Sequence, residues 1–163
     1  MNAKTIYDFD KDSALREWEV EDDVVMGGRS SGQFSINADG HAVFEGYVSL
    51  ENNGGFSSVQ HKFAKMDVSG FSKLVVSLKG DGKDYQFRVK SALKDYYSYV
   101  YNFSTSGEWQ KIEINFEDMY PSFRGRKLNM TNYEGKELQE VRILIGNKKN
   151  EKFKLLIDKI EVK

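Results

Sequence analysis

The sequence predicts an all-β protein, an antiparallel β-sandwich most simply arranged as a jelly roll, on three observations. Apolar residues recur with a period of two along most of the chain, turn residues separate nearly every such run, and no window of helical length carries a convincing period of 3.6. About eleven short strands at regular spacing point to two antiparallel sheets packed face to face.

The strand runs are expected, in order, at residues 5–9, 15–20, 32–36, 42–49 and 57–63. Three more come next. Leu74, Val76 and Leu78 alternate with Lys73, Val75 and Ser77; Tyr85, Phe87 and Val89 alternate with Gln86, Arg88 and Lys90; residues 97–103 follow. Ile112, Ile114 and Phe116 form another alternating run, and residues 141–145 and 153–162 complete the set. In the last run the apolar phase moves from Phe153, Leu155 and Ile157 to Ile160 and Val162, which predicts a bulge near Asp158. A short helical turn is expected between Phe116 and Tyr120. Asn52-Asn53-Gly54-Gly55 and Gly80-Asp81-Gly82-Lys83 supply residues that tolerate positive φ in tight connections.

Composition narrows the function classes. A chain of 163 residues is expected to be one domain, 1–163, that buries ~70% of the surface its unfolded form exposes. Without cysteine there is no disulfide, thiol catalysis or thiolate metal site. Lysine and arginine total 24 against 25 acids, interspersed, so no overall field attracts nucleic acid or anionic lipid. No apolar run approaches the ~18 residues of a membrane helix, and residues 1–10 carry no secretory h-region. A cytoplasmic protein is expected, without nucleic-acid binding, membrane insertion or cofactor.

Candidate site residues fall in four places. Asp22 to Gly32 reads D-D-V-V-M-G-G-R-S-S-G, a polar loop in which Asp22, Asp23, Arg29 and Ser30 either meet a partner or lock a glycine turn through an aspartate–arginine pair. Its G-x-S-x-G spacing is not a nucleophile elbow, because a strand follows and crossover helices are missing. In the turn from Asn52 to Ser58, Asn53, Ser57 and Ser58 have polar atoms to spare, and Phe56 is expected in the core. Arg124 and Arg126 flank a glycine and are expected to project from one bend, with Phe116 and Phe123 covering the core edge. Finally, Tyr97, Tyr99 and Tyr101 line one strand face beside a strand carrying Arg88, so aromatic and basic groups are expected to share a concave face suited to a sugar or a protein partner, or else to form core with hydroxyls at the rim. Trp18 and Trp109 read as core plugs, and His41 and His61 as residues of exposed strand faces. Asp8, Asp10, Asp12 and Glu19 partly match an EF-hand spacing, but Ser13 stands where the sharp turn needs glycine, so no metal site is assigned.

Four ordered motifs carry a family resemblance: W-x-V-x-D-D-V-V-M-G-G-R-S at Trp18 to Ser30, F-E-G-Y-V-S-L-E-N-N-G-G-F-S-S-V at Phe44 to Val59, K-G-D-G-K-D-Y at Lys79 to Tyr85, and F-E-D-M-Y-P-S-F-R-G-R at Phe116 to Arg126. Over most of its length the chain resembles the complex I intermediate-associated protein 30 family. The resemblance implies a galactose-binding-like β-sandwich and, in mitochondrial members, a non-catalytic assembly factor for respiratory complex I. No targeting extension or fused dehydrogenase-like domain is visible, so a free-standing bacterial-type member is expected. Its partner would be a client protein, a respiratory-complex subunit among the candidates. Two alternatives remain open: a carbohydrate-binding module that takes a glycan on the aromatic and basic face, and a hydrolase using Asp22 or Asp23 with a second carboxylate.

Overall fold

Thirteen strands build two antiparallel sheets in the computed structural model, which describes residues 3–163. They are β1 (Lys4–Asp8), β2 (Trp18–Asp22), β3 (Ser31–Ile36), β4 (Ala42–Val48), β5 (Ser57–Asp67), β6 (Lys73–Lys79), β7 (Asp84–Lys90), β8 (Ser98–Ser104), β9 (Trp109–Asn115), β10 (Tyr120–Phe123), β11 (Arg126–Lys127), β12 (Glu137–Ile145) and β13 (Glu151–Val162). One sheet runs β3-β4-β13-β6-β9, with β1 pairing the far end of β13. The other runs β11-β10-β8-β7-β12-β5-β2.

The alternating patterns become the core for the reason the sequence suggests: one phase of each strand is apolar and turns inward. Tyr85, Phe87 and Val89 on β7, Val141, Ile143 and Ile145 on β12, and Val59 on β5 join Phe44, Leu74, Leu78, Leu155 and Ile157 of the other sheet in one buried cluster. At about 25 cal/mol per Å² of apolar surface removed from water, this shared interior dominates stability. The expected bulge in β13 falls at Asp158: Ile157 pairs with Leu78 and Lys159 with Ser77, leaving Asp158 extra and returning Ile160 to the core. The turn after β9 is a 3-10 turn at Phe116–Asp118.

Several expectations need correction. Residues 15–17 form a 3-10 turn, so the second strand starts at Trp18. The strand count rises with β10 and β11, joined by the two-residue turn Arg124-Gly125, both at positive φ (50° and 78°), as a type I′ hairpin requires. Phe123 is exposed because it sits at that hairpin's tip, while Phe116 is buried. Phe56 is only half-buried. His61 lies inside, not on an exposed face: its ring stacks on Trp18 at 5.1 Å and its Nδ1 lies 2.8 Å from the Glu17 carbonyl, which satisfies the buried polar ring. His41 is half-buried, between Trp109 at 4.6 Å and Asp158. Trp18 is a core plug; Trp109, on the edge strand β9, is 44% exposed.

Candidate functional site

The most recognisable sequence motif closes on itself. Asp23 is fully buried, and its carboxylate accepts from Ser30 N at 3.0 Å, Ser30 Oγ at 2.5 Å, Gly55 N at 2.6 Å and Phe56 N at 3.2 Å. Ser30 Oγ in turn accepts from Ser49 N at 2.9 Å. One carboxylate thus ties the 22–32 segment to the 49–56 turn. A Cβ on Gly28 would stand 2.3 Å from Asp23 Oδ1, and one on Gly54 2.6 Å from Oδ2, so both glycines are required by close approach to this oxygen pair. Burial alone would raise the Asp23 pKa, but the Ser30 hydroxyl and the three amides together outweigh it and hold the carboxyl below its ordinary value.

The turn is therefore locked by Asp23 with Ser30 and backbone amides, in place of the expected aspartate–arginine pair; Arg29 is exposed. Asp22 is also engaged, accepting from Gly32 N at 2.9 Å and Ser57 Oγ at 2.5 Å. Asn53 is exposed and in the left-handed region at φ 61°. Both aspartates thus direct their carboxylate oxygens at groups of the chain itself.

The chemistry that is not absorbed in scaffolding lies on the outer face of the seven-stranded sheet. Backbone register sets Tyr120, Val100, Arg88, Arg142, Gln60 and Glu19 in one row across β10, β8, β7, β12, β5 and β2. Five strand spacings make that row about 24 Å long. A flanking row carries Asn102, Gln86, Leu144, Ser58 and Glu21. Outward residues of a bare sheet are ordinarily exposed, yet Gln60 and Glu140 are 2% exposed and Val100 1%, so longer side chains close over the middle of this face.

Hydrogen bonds order it. Arg142 donates through Nη1 to Glu21 Oε1 at 2.9 Å and Ser58 Oγ at 3.0 Å, and through Nη2 to Gln60 Oε1. Ser58 Oγ donates to the Glu21 carbonyl, and Asn102 Nδ2 to Tyr120 Oη at 2.9 Å. Arg88 donates from Nε and Nη2 to the Gln86 side-chain oxygen at 2.9 and 2.7 Å. Burial and then the neighbouring Arg142 guanidinium push Arg88 below the usual guanidinium value. Glu140 Oε2 is buried without a hydrogen-bond partner among the described residues, 3.9 Å from Arg142 Nε.

This placement separates residues that the sequence pattern groups. Tyr99 pairs with Val89, so its ring enters the core on the opposite side of the sheet from Arg88, and Tyr97 packs against it at 5.6 Å. The Tyr97, Tyr99 and Tyr101 stripe and the basic groups do not share a face. Ser58 and Arg88 do share one, with Arg142, Gln60, Gln86, Glu140, Asn102 and Tyr120, which sequence reasoning did not single out; the available signal was a charge at Arg142 inside the apolar run 141–145. Arg124 and Arg126 project at the β10–β11 tip, Arg124 over the Phe123 ring at 5.1 Å. The partial EF-hand spacing does not assemble: Asp10 Oδ1 accepts from Asp12 N, and Glu19 Oε1 from Gln60 Nε2. Among the described residues no group of three or more His, Asp or Glu is placed to hold a metal ion. No helix among them is long and apolar enough to cross a membrane.

A depression of about 540 Å³ lies on the other sheet, among Ser31, Gln33, Tyr47, Lys152 and Lys154. It is open, and two of its three lysines, Lys152 and Lys154, are exposed, so it offers less directed chemistry than the arginine row.

Comparison with known proteins agrees with this architecture. The family model described as complex I intermediate-associated protein 30 matches residues 7–157. Among solved structures, the family 11 carbohydrate-binding module of the cellulosomal cellulase Lic26A-Cel5E of Clostridium thermocellum is similar with a TM-score of 0.71 and 17% identity, over 99% of this chain and 94% of that one. A family 11 module from Clostridium thermocellum in complex with a β-1,3-1,4-mixed-linked tetrasaccharide gives 0.70 and 16%, over 98% and 94%. An exo-β-agarase gives 0.62 and 10%, over 98% of this chain and 24% of that one. At these identities the likeness is one of fold.

Proposed function

The chain belongs to the complex I intermediate-associated protein 30 family, and from that premise we propose that it is a non-enzymatic binding and assembly module, one domain working in the cytoplasm, which holds a client protein against the outer face of its seven-stranded sheet. The observation that carries this reading is the row in which Arg88 and Arg142 stand side by side among amide and hydroxyl groups. Core packing does not call for these groups, and they are ordered before any partner arrives, which lowers the entropic cost of binding. The family points to an assembly intermediate of a respiratory complex as the client. Of the loop residues expected to meet the client, Asp22, Asp23 and Ser30 are engaged in shaping the sandwich end, which favours the sheet face as the contact.

The test is site-specific photocrosslinking in the native cells, with the photoreactive residue at Asn102 or Lys62 on this face and at Lys111 on the other sheet. The same respiratory-complex subunit should be captured from Asn102 and Lys62 and not from Lys111. Capture from Lys111 alone, or from none of the three, would defeat the reading.

A carbohydrate-binding module is the second reading. It is favoured by Gln86, Asn102 and Tyr120, which could bond hydroxyls, in a fold similar to that of carbohydrate-binding modules. It is weakened because sugar platforms stack on rings, and Tyr120 is the one aromatic among the described outward positions of these strands. Binding of neutral oligosaccharides, abolished by Tyr120→Ala, would favour it over the assembly reading.

A further inference from the structure

Resting on that binding-face reading, we propose that Arg88, with Arg142 directly opposite it, seats a carboxylate carried by an extended acidic segment of the client protein. Two like charges facing each other across adjacent strands repel, and a sheet ordinarily avoids that pair. The two arginines are unequally compensated. Arg142 has Glu21 at 2.9 Å and Glu140 at 3.9 Å, whereas Arg88 has only the neutral oxygen of Gln86, with no carboxylate within 4 Å among the described residues. A guanidinium carries five N–H donors, and the Gln86 contact uses two. What remains is a planar, half-buried fork shaped for bidentate capture of a carboxylate.

The rest of the face sets the form of that ligand. Glu140 lies one side-chain repeat from Arg142 along β12, about 7 Å away, but its Oε2 is closed off from solvent and takes no part. The carboxylate for Arg88 comes from an Asp or Glu side chain. The length of the row, about 24 Å, accommodates roughly seven residues of extended chain. Scarcity of aromatic rings on the face favours a peptide over a uronic-acid polymer, which could also offer carboxylates.

The experiment titrates the full chain with three fluorescent probes: a ten-residue peptide of alternating Glu and Ser, an oligogalacturonate, and a neutral β-1,3-1,4-linked tetrasaccharide. The wild type should bind the peptide, and Arg88→Gln should weaken it at least about tenfold, while Lys111→Gln, which removes the same charge from the other sheet, leaves it unchanged. Arg88→Lys should fall between, since it keeps the charge without the fork. Thermal stability of Arg88→Gln should equal or exceed that of the wild type, because a repulsion is removed; a purely structural Arg88 would lose stability instead. Peptide binding unchanged in Arg88→Gln, or absent in the wild type, overturns the proposal, and the face reading still stands if the Asn102 and Lys62 adducts are found. Binding of the oligogalacturonate without the peptide overturns the protein source. Tight binding of the neutral tetrasaccharide alone overturns both the proposal and the assembly reading.

Discussion

Replacement of Asp23 by alanine isolates the lock that closes one end of the sandwich. The substitution deletes the acceptor of three backbone amides, those of Ser30, Gly55 and Phe56, and of the Ser30 hydroxyl. A hydrogen bond to a charged group contributes about 1.5–3 kcal/mol. The four do not add, because alanine also escapes the desolvation of a buried carboxylate and water can enter the space. A net loss of about 3–5 kcal/mol is expected, as for breaking a buried polar network. For a chain of this size each kcal/mol lowers Tm by about 2–4 °C, so the midpoint should fall by roughly 6–20 °C. Asp23→Asn should also destabilise, since one carboxylate oxygen becomes an NH₂ donor facing N–H groups.

The pH dependence gives the mechanism its own signature. The Asp23 carboxyl sits below its ordinary value in the folded state, while in the unfolded chain it titrates near about 3.9. A depressed folded value means that the unfolded state binds the proton first as pH falls, so the contribution is fully present above the unfolded value and disappears as pH drops through the folded one. Urea unfolding of wild type and Asp23→Ala should therefore show a stability gap that is largest near pH ~7 and narrows below pH ~4. A Tm change under about 2 °C, or a gap that stays constant down to pH ~3, would refute the argument.

Three further outcomes follow from the same geometry. Gly28→Ala should lose about 1–3 kcal/mol in urea unfolding through collision with Asp23 Oδ1, and little in an Asp23→Ala background; additive losses in that double-mutant cycle would contradict the close approach. Trp109→Phe should leave blue-shifted emission from Trp18 that iodide does not quench, since Trp18 is 6% exposed; red, quenchable emission would place Trp18 at the surface. Absorbance titration should leave Tyr7, Tyr85, Tyr99 and Tyr133 protonated where ordinary phenols ionise near pH ~10. Burial raises all four, Tyr7 to about 12 with help from its bond to Glu17. Because these folded values are raised, stability should fall as pH climbs above the unfolded value; a full nine-tyrosine transition in the folded protein near pH ~10 would count against it.

The strands were legible because burial of one face imposes a period of two whatever the partner, and the Asp158 bulge was legible because it shifts that period. Which face of a strand looks inward was harder to read where both phases are mixed. Residues 97–103 alternate Tyr97, Tyr99, Tyr101 and Phe103 with Ser98, Val100 and Asn102, and only the pairing of Tyr99 with Val89 decides that the tyrosines belong to the core side. Arg88 and Arg142 meet through strand pairing between distant segments, which no local spacing encodes. The strands β10 and β11 escaped because four and two residues are too few to establish a period. His61 misled because an imidazole looks exposed by composition; a carbonyl from residue 17 and the Trp18 ring make its burial acceptable.

The motif that identifies the family and the face proposed to meet the client are physically coupled. Asp22 holds Ser57 through Oδ1, the adjacent pair Glu21 and Ser58 turns outward, and both of those bind Arg142. Arg142 then sets the position of the charge opposite Arg88. The glycine and aspartate signature thus fixes β2 against β5, and through that edge it orders the middle of the row. Loss of the Asp22 contacts should therefore weaken binding at the face without removing any group that touches the ligand, whereas loss of Arg88 should weaken binding without lowering stability. Measuring peptide affinity and Tm together for Asp22→Asn and Arg88→Gln separates the two roles: the first variant should lose both quantities and the second only affinity. If Arg88→Gln lost stability in proportion to affinity, the row would be scaffold like the motif behind it.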